Sequence, residues 1–121
     1  LEVLEELTVL GDQSMLDQVV YNLIDNAVKF TDENGKISLT TKSEVKYSYF
    51  TITNTGKGIP PAHIKNIFDR FYKVDESRST DTKSTGLGLH IVKGIVELHG
   101  GKVTVKSKPD KFTEFTVKLP K

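Results

Sequence analysis

The chain contains no cysteine among its 121 residues. This absence excludes disulfide bonds, thiolate catalysis and thiolate metal sites, and it fits a reducing compartment. No apolar run approaches the roughly 18 residues that a membrane span needs, and no signal peptide is visible. The chain has 17 basic and 16 acidic residues, so its formal net charge is +1. Nothing in this charge balance indicates a nucleic-acid partner or a membrane-binding surface.

The composition is that of a soluble globular protein, with 36% apolar residues. The length is sufficient for one hydrophobic core, so we expect residues 1–121 to form a single domain. The chain begins with Leu1 and not with methionine. We therefore expect it to be a piece of a longer protein, with further partners in the parent chain.

Apolar periodicity predicts a first strand, three helices and two β-hairpins. Residues 1–6 are predicted as a strand or a linker, and the polar, aperiodic residues 73–85 as a lid or a disordered segment. Hairpins alternating with helices indicate an α/β sandwich, with a mixed, mostly antiparallel sheet and about three helices on one face. The predicted strands are residues 7–10, 36–41, 47–53, 102–107 and 112–119, and the predicted helices are residues 12–30, 60–68 and 86–98.

The first predicted helix, capped by Asp12 or Ser14, carries two lines of side chains. Amide oxygens can bind a hard cation and an ammonium can neutralise phosphate, so the polar line is a possible ligand site, although such lines are more often solvated faces. The apolar line, predicted to pack on the sheet, is Val19, Val20, Leu23, Ile24, Ala27 and Val28, and the polar line is Gln18, Asn22, Asn26 and Lys29.

Two glycine motifs occur at the ends of predicted elements. Asn54-Thr-Gly56-Lys-Gly58 follows a strand, where glycine lets the backbone approach a ligand. Thr85-Gly86-Leu87-Gly88-Leu89 opens a helix, whose free N–H groups favour phosphate. Each motif alone is equally typical of a tight turn, but together with the polar helix line they predict a nucleotide site. The absence of GxxxxGK[ST] and of an early GxGxxG excludes a P-loop and a dinucleotide-binding fold.

These motifs resemble those of the catalytic ATP-binding domain of sensor histidine kinases, within the family that includes the gyrase, Hsp90 and MutL ATPases. The resemblance extends from Gly11 to Pro120 and implies the Bergerat-type ATP-binding fold. Four motifs appear in the family's order: residues 22–30 match the asparagine box, 54–60 the first glycine box, 67–72 the phenylalanine box and 85–89 the second glycine box.

The resemblance implies a role for each matched residue. Asn26, assisted by Asn22, would bind the Mg²⁺ that bridges the ATP phosphates, and Asn54 would meet the adenine amino group. Lys29 and Arg78 would contact phosphate, with Arg78 equally readable as a solvated arginine. The remaining nucleotide contacts would come from Phe30, Gly56, Gly58, Ile59, Phe68, Thr85, Gly86, Leu87, Gly88 and Leu89.

Asn22 stands where gyrase-like relatives have a glutamate that activates water. An amide cannot accept a proton at neutral pH, so the site suits phosphoryl transfer to a separate nucleophile better than hydrolysis. None of His63, His90 and His99 has the sequence setting of a phosphoacceptor, so we interpret all three as structural. The resemblance therefore implies, in the parent protein, a dimeric phosphoacceptor hairpin and a response regulator receiver domain as partners.

By itself the chain is expected to be a monomer that binds ATP without autophosphorylating. A cytoplasmic location is implied, which leaves open a membrane anchor elsewhere in the parent chain. Two alternatives remain: a serine kinase of the anti-sigma type, and a degenerate module that binds a nucleotide or a partner without transfer.

Three positions depart from the family pattern. Asn54 replaces the usual aspartate, and Glu114 replaces a small hydroxyl residue six positions before Pro120. We hypothesise that Glu114 partly restores the missing carboxylate, provided that the strands bring positions 54 and 114 together. Lys83-Ser84 replaces a glycine pair before Thr85, so the hinge of the lid has fewer accessible backbone conformations. Lys83 is also a candidate phosphate contact.

Overall fold

The computed structural model describes residues 12–69 and 88–121. Within these ranges the order is helix, two strands, short helix, helix and two strands. The predicted strand at residues 7–10, the predicted lid and the first two residues of the last predicted helix lie outside them. The elements are α1 (Gln13–Phe30), β1 (Ile37–Ser43), β2 (Tyr47–Thr55), α2 (Pro61–Ile64), α3 (Gly88–Leu98), β3 (Lys102–Lys108) and β4 (Phe112–Pro120).

Helix α1 begins and ends as the sequence predicts. The Asp12 carboxylate accepts a hydrogen bond from the Met15 backbone N–H at 2.9 Å, so Asp12 and not Ser14 is the N-cap. At the other end the Thr31 N–H still donates to the Ala27 carbonyl, but Thr31 itself has extended backbone angles. The helix therefore carries Asn22, Asn26 and Lys29 on one continuous α-helical surface.

The four described strands form one antiparallel sheet in the order β1-β2-β4-β3. Because side chains alternate between the faces, the pairing register aligns four residues across the sheet in each row. One such row is apolar and consists of Leu39, Ile52, Phe115 and Val105. The next row on the same face, away from the turn that joins β1 and β2, consists of Ile37, Asn54, Thr113 and Ser107.

Both long helices pack on the face of the sheet that carries these rows. The buried side chains of α1 are Val19, Leu23 and Ala27, and those of α3 are Val92, Ile95 and Val96. Together with Leu39, Ile52, Ile67, Phe115 and Val117 they form the core. The predicted α/β sandwich with helices on one face is confirmed. None of the helices in residues 12–69 and 88–121 is long and apolar enough to cross a membrane.

Two residues of α1 that were predicted to pack on the sheet are exposed, and so is Leu98 at the end of α3. Val20 is 38% exposed, Val28 58% and Leu98 76%. The apolar periodicity correctly identified the side of each helix that packs on the sheet, but the apolar stripe is wider than the surface that is buried. Among the described residues the sheet and the neighbouring helix cover only the stripe that contains Leu23 in α1 and Val92 in α3.

Helices α1 and α3 run antiparallel and are in contact near both ends of α3. The His99 ring, just after α3, accepts a hydrogen bond from the Asp12 N–H at Nε2 (3.1 Å), while Nδ1 lies 2.8 Å from the Ile95 carbonyl and donates to it. At the opposite end the Gly88 backbone lies beside Asn22. The structural interpretation of His99 is therefore supported, and α3 is placed so that its first residue meets the polar line of α1.

Candidate functional site

The polar line of α1 borders the start of α3. A β-carbon placed on Gly88 would lie 3.9 Å from the side-chain carboxamide of Asn22, and both Asn22 and Asn26 are half-buried. One turn further, the Lys29 ammonium lies 2.8 Å from the Asp25 carboxylate in an i,i+4 ion pair. Such a pair at a partly exposed site contributes little stability, so Lys29 can exchange this carboxylate for another anion at small cost.

The C-terminal end of α1 meets the first glycine loop, which we define as residues 56–59. A β-carbon on Gly56 would lie 2.6 Å from the Phe30 carbonyl oxygen, so only glycine permits this approach. The same position is 3.6 Å from the Asn54 amide nitrogen. The structure thus brings together Phe30, Asn54 and Gly56. Phe30 lies about 12 Å along the helix from Asn22, the rise of eight helical residues.

Asn54 is only 3% exposed, and its amide has a defined orientation. Its Nδ2 donates to the Thr55 carbonyl at 3.2 Å. Because a carbonyl oxygen can only accept, the amide nitrogen must face it, and Oδ1 is left to accept from another donor. No donor for Oδ1 is found in residues 12–69 and 88–121. Asn54 can therefore offer a single acceptor to an incoming amino group, as an aspartate would, but without charge.

The hypothesis that Glu114 supplies the missing carboxylate is wrong. Glu114 pairs with Thr53, while Asn54 pairs with Thr113. Since successive residues of a strand point to opposite faces, Glu114 lies on the face of the sheet away from the helices. The neighbour of Asn54 is Thr113, which is 6% exposed.

Thr113 and Ser107, which the sequence reasoning missed, continue the row of Asn54 across β4 and β3. Ser107 was detectable, because it continues the inward alternation of Val103 and Val105 as a polar residue. Its hydroxyl lies 3.4 Å from that of Thr113 and accepts a hydrogen bond from the Ile59 N–H at 2.6 Å. The row joins the centre of the sheet to the first glycine loop.

Phe68 and Leu89, two further predicted contact residues, are half-buried against the core. The Phe68 ring packs edge-on against Phe115, with centroids 6.0 Å apart. Phe68 also lines a shallow groove of about 230 Å³ on the outer side of α3, together with Asp69, His90, Lys93, Gly94 and Glu97. That groove contains none of the polar residues of α1. The predicted residues Arg78, Lys83, Thr85, Gly86 and Leu87 lie outside the described ranges.

The donor set at α1 suits a cation that is held mainly by a ligand. In residues 12–69 and 88–121 no three His, Cys, Asp or Glu side chains are grouped to hold a metal ion. Asn22 and Asn26 offer amide oxygens, and Mg²⁺ commonly takes few protein ligands and completes its shell with phosphate oxygens and water. The residues present therefore fit a Mg²⁺–nucleotide complex better than a free metal ion.

Comparison with known proteins gives one consistent family. Residues 11–121 match the family model of histidine kinase-, DNA gyrase B- and HSP90-like ATPases. The sensor protein SrrB of Staphylococcus aureus (strain NCTC 8325 / PS 47) is 46% identical over 110 residues, which is 91% of this chain but 19% of SrrB. The chain thus spans about a fifth of the length of this curated relative.

Solved structures give the same result. The mycobacterial sensor histidine kinase MprB superposes with a TM-score of 0.81 at 34% identity, covering 93% of this chain and 76% of that one. The catalytic domain of histidine kinase ThkA gives 0.79 at 34% identity, over 93% and 70%. Full-length ShkA in complex with AMPPNP gives 0.78 at 33% identity, over 93% and 23%.

The chain belongs to the family of histidine kinase-, DNA gyrase B- and HSP90-like ATPases, and within it to the catalytic ATP-binding domains of sensor histidine kinases. The fold expected from the four sequence motifs is confirmed. The roles of the individual site residues remain predictions.

Proposed function

We propose that the chain binds Mg·ATP and supplies the γ-phosphoryl group to a histidine on a separate phosphoacceptor domain of its parent protein. The observation that carries the proposal is the pair of half-buried amides, Asn22 and Asn26, on the face of α1 that borders Gly88. Further support comes from the family membership and from the AMPPNP complex of the relative ShkA.

In this proposal the base lies at the C-terminal end of α1 and the phosphates lie toward Gly88. Asn54 Oδ1 accepts a hydrogen bond from the adenine amino group, and Phe30, Gly56 and Ile59 line the base pocket. Asn22 and Asn26 hold the cation, whose charge neutralises the phosphates when it is bound. The other phosphate and base contacts are Lys29, Gly58, Phe68 and Leu89, together with Arg78, Thr85, Gly86, Leu87 and Gly88.

Position 22 has an amide and no general base, which favours phosphoryl transfer over ATP hydrolysis. An acceptor imidazole supplies its own lone pair to phosphorus while the bond to the ADP oxygen breaks, so it needs positioning and charge neutralisation more than deprotonation by the domain. Water at the same place lacks a group that takes its proton. The phosphohistidine would then be the donor for a response regulator receiver domain.

The test is Mg·ATP and ADP calorimetry on the chain with a matched pair of asparagine variants. Asn26→Ala is expected to abolish detectable binding, whereas Asn66→Ala makes the same chemical change at an exposed turn and is expected to leave binding unchanged. Adding a phosphoacceptor hairpin and labelled ATP then identifies the acceptor. Label on histidine supports the proposal, label on serine supports the anti-sigma-type alternative, and binding without label supports a binding module.

A further inference from the structure

We infer that Ser107 is the positioning residue that holds the first glycine loop in place as the wall of the base pocket. The inference rests on the proposed function and extends it to a residue outside the four family motifs. The Ser107 hydroxyl accepts from the Ile59 N–H at 2.6 Å and donates to the Phe112 carbonyl at 2.9 Å. It therefore ties the loop to the β3–β4 hairpin.

In residues 12–69 and 88–121, three hydrogen bonds attach this loop to the hairpin, and only the one to Ser107 involves a side chain. The other two are backbone hydrogen bonds, from the Gly56 N–H to the Lys111 carbonyl at 3.2 Å and from the Asp110 N–H to the Lys57 carbonyl at 2.6 Å. Backbone bonds survive side-chain substitution, so the attachment at Ile59 is the one that the sequence can change.

The two hydrogen bonds of Ser107 require a side chain that both donates and accepts, and the loop passes close to it. Gly58 has φ +73° and passes so close to β3 that a β-carbon on it would lie 2.6 Å from the Lys108 carbonyl and 2.9 Å from the Ser107 hydroxyl. Without the hydroxyl, the half-buried Ile59 N–H has no acceptor in residues 12–69 and 88–121. An amide left unpaired in this way favours opening of the loop.

The position of Ser107 connects this attachment to the base-reading group. Ser107 pairs with Thr113 in the sheet register, and Thr113 pairs with Asn54. The first glycine loop begins two residues after Asn54. Ser107, which lies two strands away in the same row, holds the other end of this loop. Loosening Ile59 changes the pocket in which Asn54 Oδ1 meets its donor, so Ser107 acts on that pocket through the loop.

The test combines amide hydrogen exchange with Mg·ATP calorimetry on the 121-residue chain. In Ser107→Ala, exchange at Ile59 is expected to accelerate and Mg·ATP binding to weaken, each about tenfold. Ser107→Thr keeps the hydroxyl and is expected to retain most of the wild-type behaviour. In Ser107→Val the side chain has nearly the shape of threonine but no hydroxyl, so this variant is expected to behave like Ser107→Ala. Ser38→Ala, on the exposed face of β1, controls for the loss of a strand serine.

Each outcome decides the inference. Parallel losses in the alanine and valine variants with retention in the threonine variant support it, and the threonine–valine comparison serves if the alanine variant does not fold. Unchanged Ile59 exchange overturns it, as does faster exchange with unchanged Mg·ATP affinity. In both of these cases the proposed function stands, because the wild type still binds. A folded wild type that binds no Mg·ATP overturns the proposed function and this inference together.

Discussion

Replacing Asn54 by aspartate is expected to move ligand affinity and stability in opposite directions. The amide is 3% exposed and uses Nδ2 to pair with the Thr55 carbonyl, which leaves Oδ1 available as the acceptor that we propose for the adenine amino group. A carboxylate is a stronger acceptor: a hydrogen bond to a charged group contributes about 1.5–3 kcal/mol, against about 0.5–1.5 kcal/mol for a neutral pair. The midpoints of these ranges differ by about 1.3 kcal/mol, which corresponds to roughly eightfold tighter binding of Mg·ATP.

The same substitution is expected to destabilise the free chain. The donor to the Thr55 carbonyl is lost, and a carboxylate oxygen takes its place beside that carbonyl in a buried setting. We expect the free energy of unfolding to fall by about 1–3 kcal/mol. The adenine amino group compensates part of this cost in the complex, so the gain in thermal midpoint on adding Mg·ATP exceeds that of the wild type.

Calorimetry with ATP and GTP, and thermal unfolding with and without Mg·ATP, would measure both effects for Asn54→Asp. Asn54→Ala should lose affinity for ATP, and Glu114→Gln, on the opposite face of the sheet, should leave that affinity unchanged. A folded Asn54→Asp variant whose ATP affinity equals or falls below that of the wild type would refute the reasoning. It would mean that Oδ1 does not face the base.

Three further predictions concern stability, measured as urea-unfolding free energies. Asp12→Ala removes the N-cap bond to Met15 and should cost about 1 kcal/mol; an unchanged value would show that the cap bond contributes nothing. Gly101→Ala places a β-carbon 2.2 Å from the Lys118 carbonyl and should cost about 1–3 kcal/mol; a neutral effect would contradict this tight contact. Gly94→Ala meets nothing within 4 Å in α3 and should stabilise by about 0.8 kcal/mol; destabilisation would contradict the open setting.

Much of the fold could be predicted because its elements are locally encoded. The strict alternation of 102–107 and 112–119 predicted a hairpin whose strands are Lys102–Lys108 and Phe112–Pro120. The first helix was predicted from an N-cap and a 3.6-residue period, and it ends at Phe30 as expected. Propensity, capping and turn chemistry act over a few residues, so they can be inferred from neighbouring letters.

The errors concern contacts between elements. Val20 and Val28 continue the apolar stripe of α1, yet the width of the buried stripe depends on which neighbours pack against it. The hypothesis about Glu114 failed because one step of register decides which face of the sheet a side chain occupies. No local pattern reveals whether position 113 or 114 lies beside Asn54.

Short patterns and their order were sufficient to predict the helices, the hairpins, the glycine loops and the resemblance to the family. Tertiary packing was needed to show that Asn54 uses Nδ2 on the Thr55 carbonyl, that Thr113 is its neighbour and that Ser107 accepts from the Ile59 N–H. These relations join residues up to 59 positions apart, from Asn54 to Thr113, through the pairing of β2, β4 and β3. Cross-strand register and helix packing are set by the whole core, so no single segment of the chain contains them.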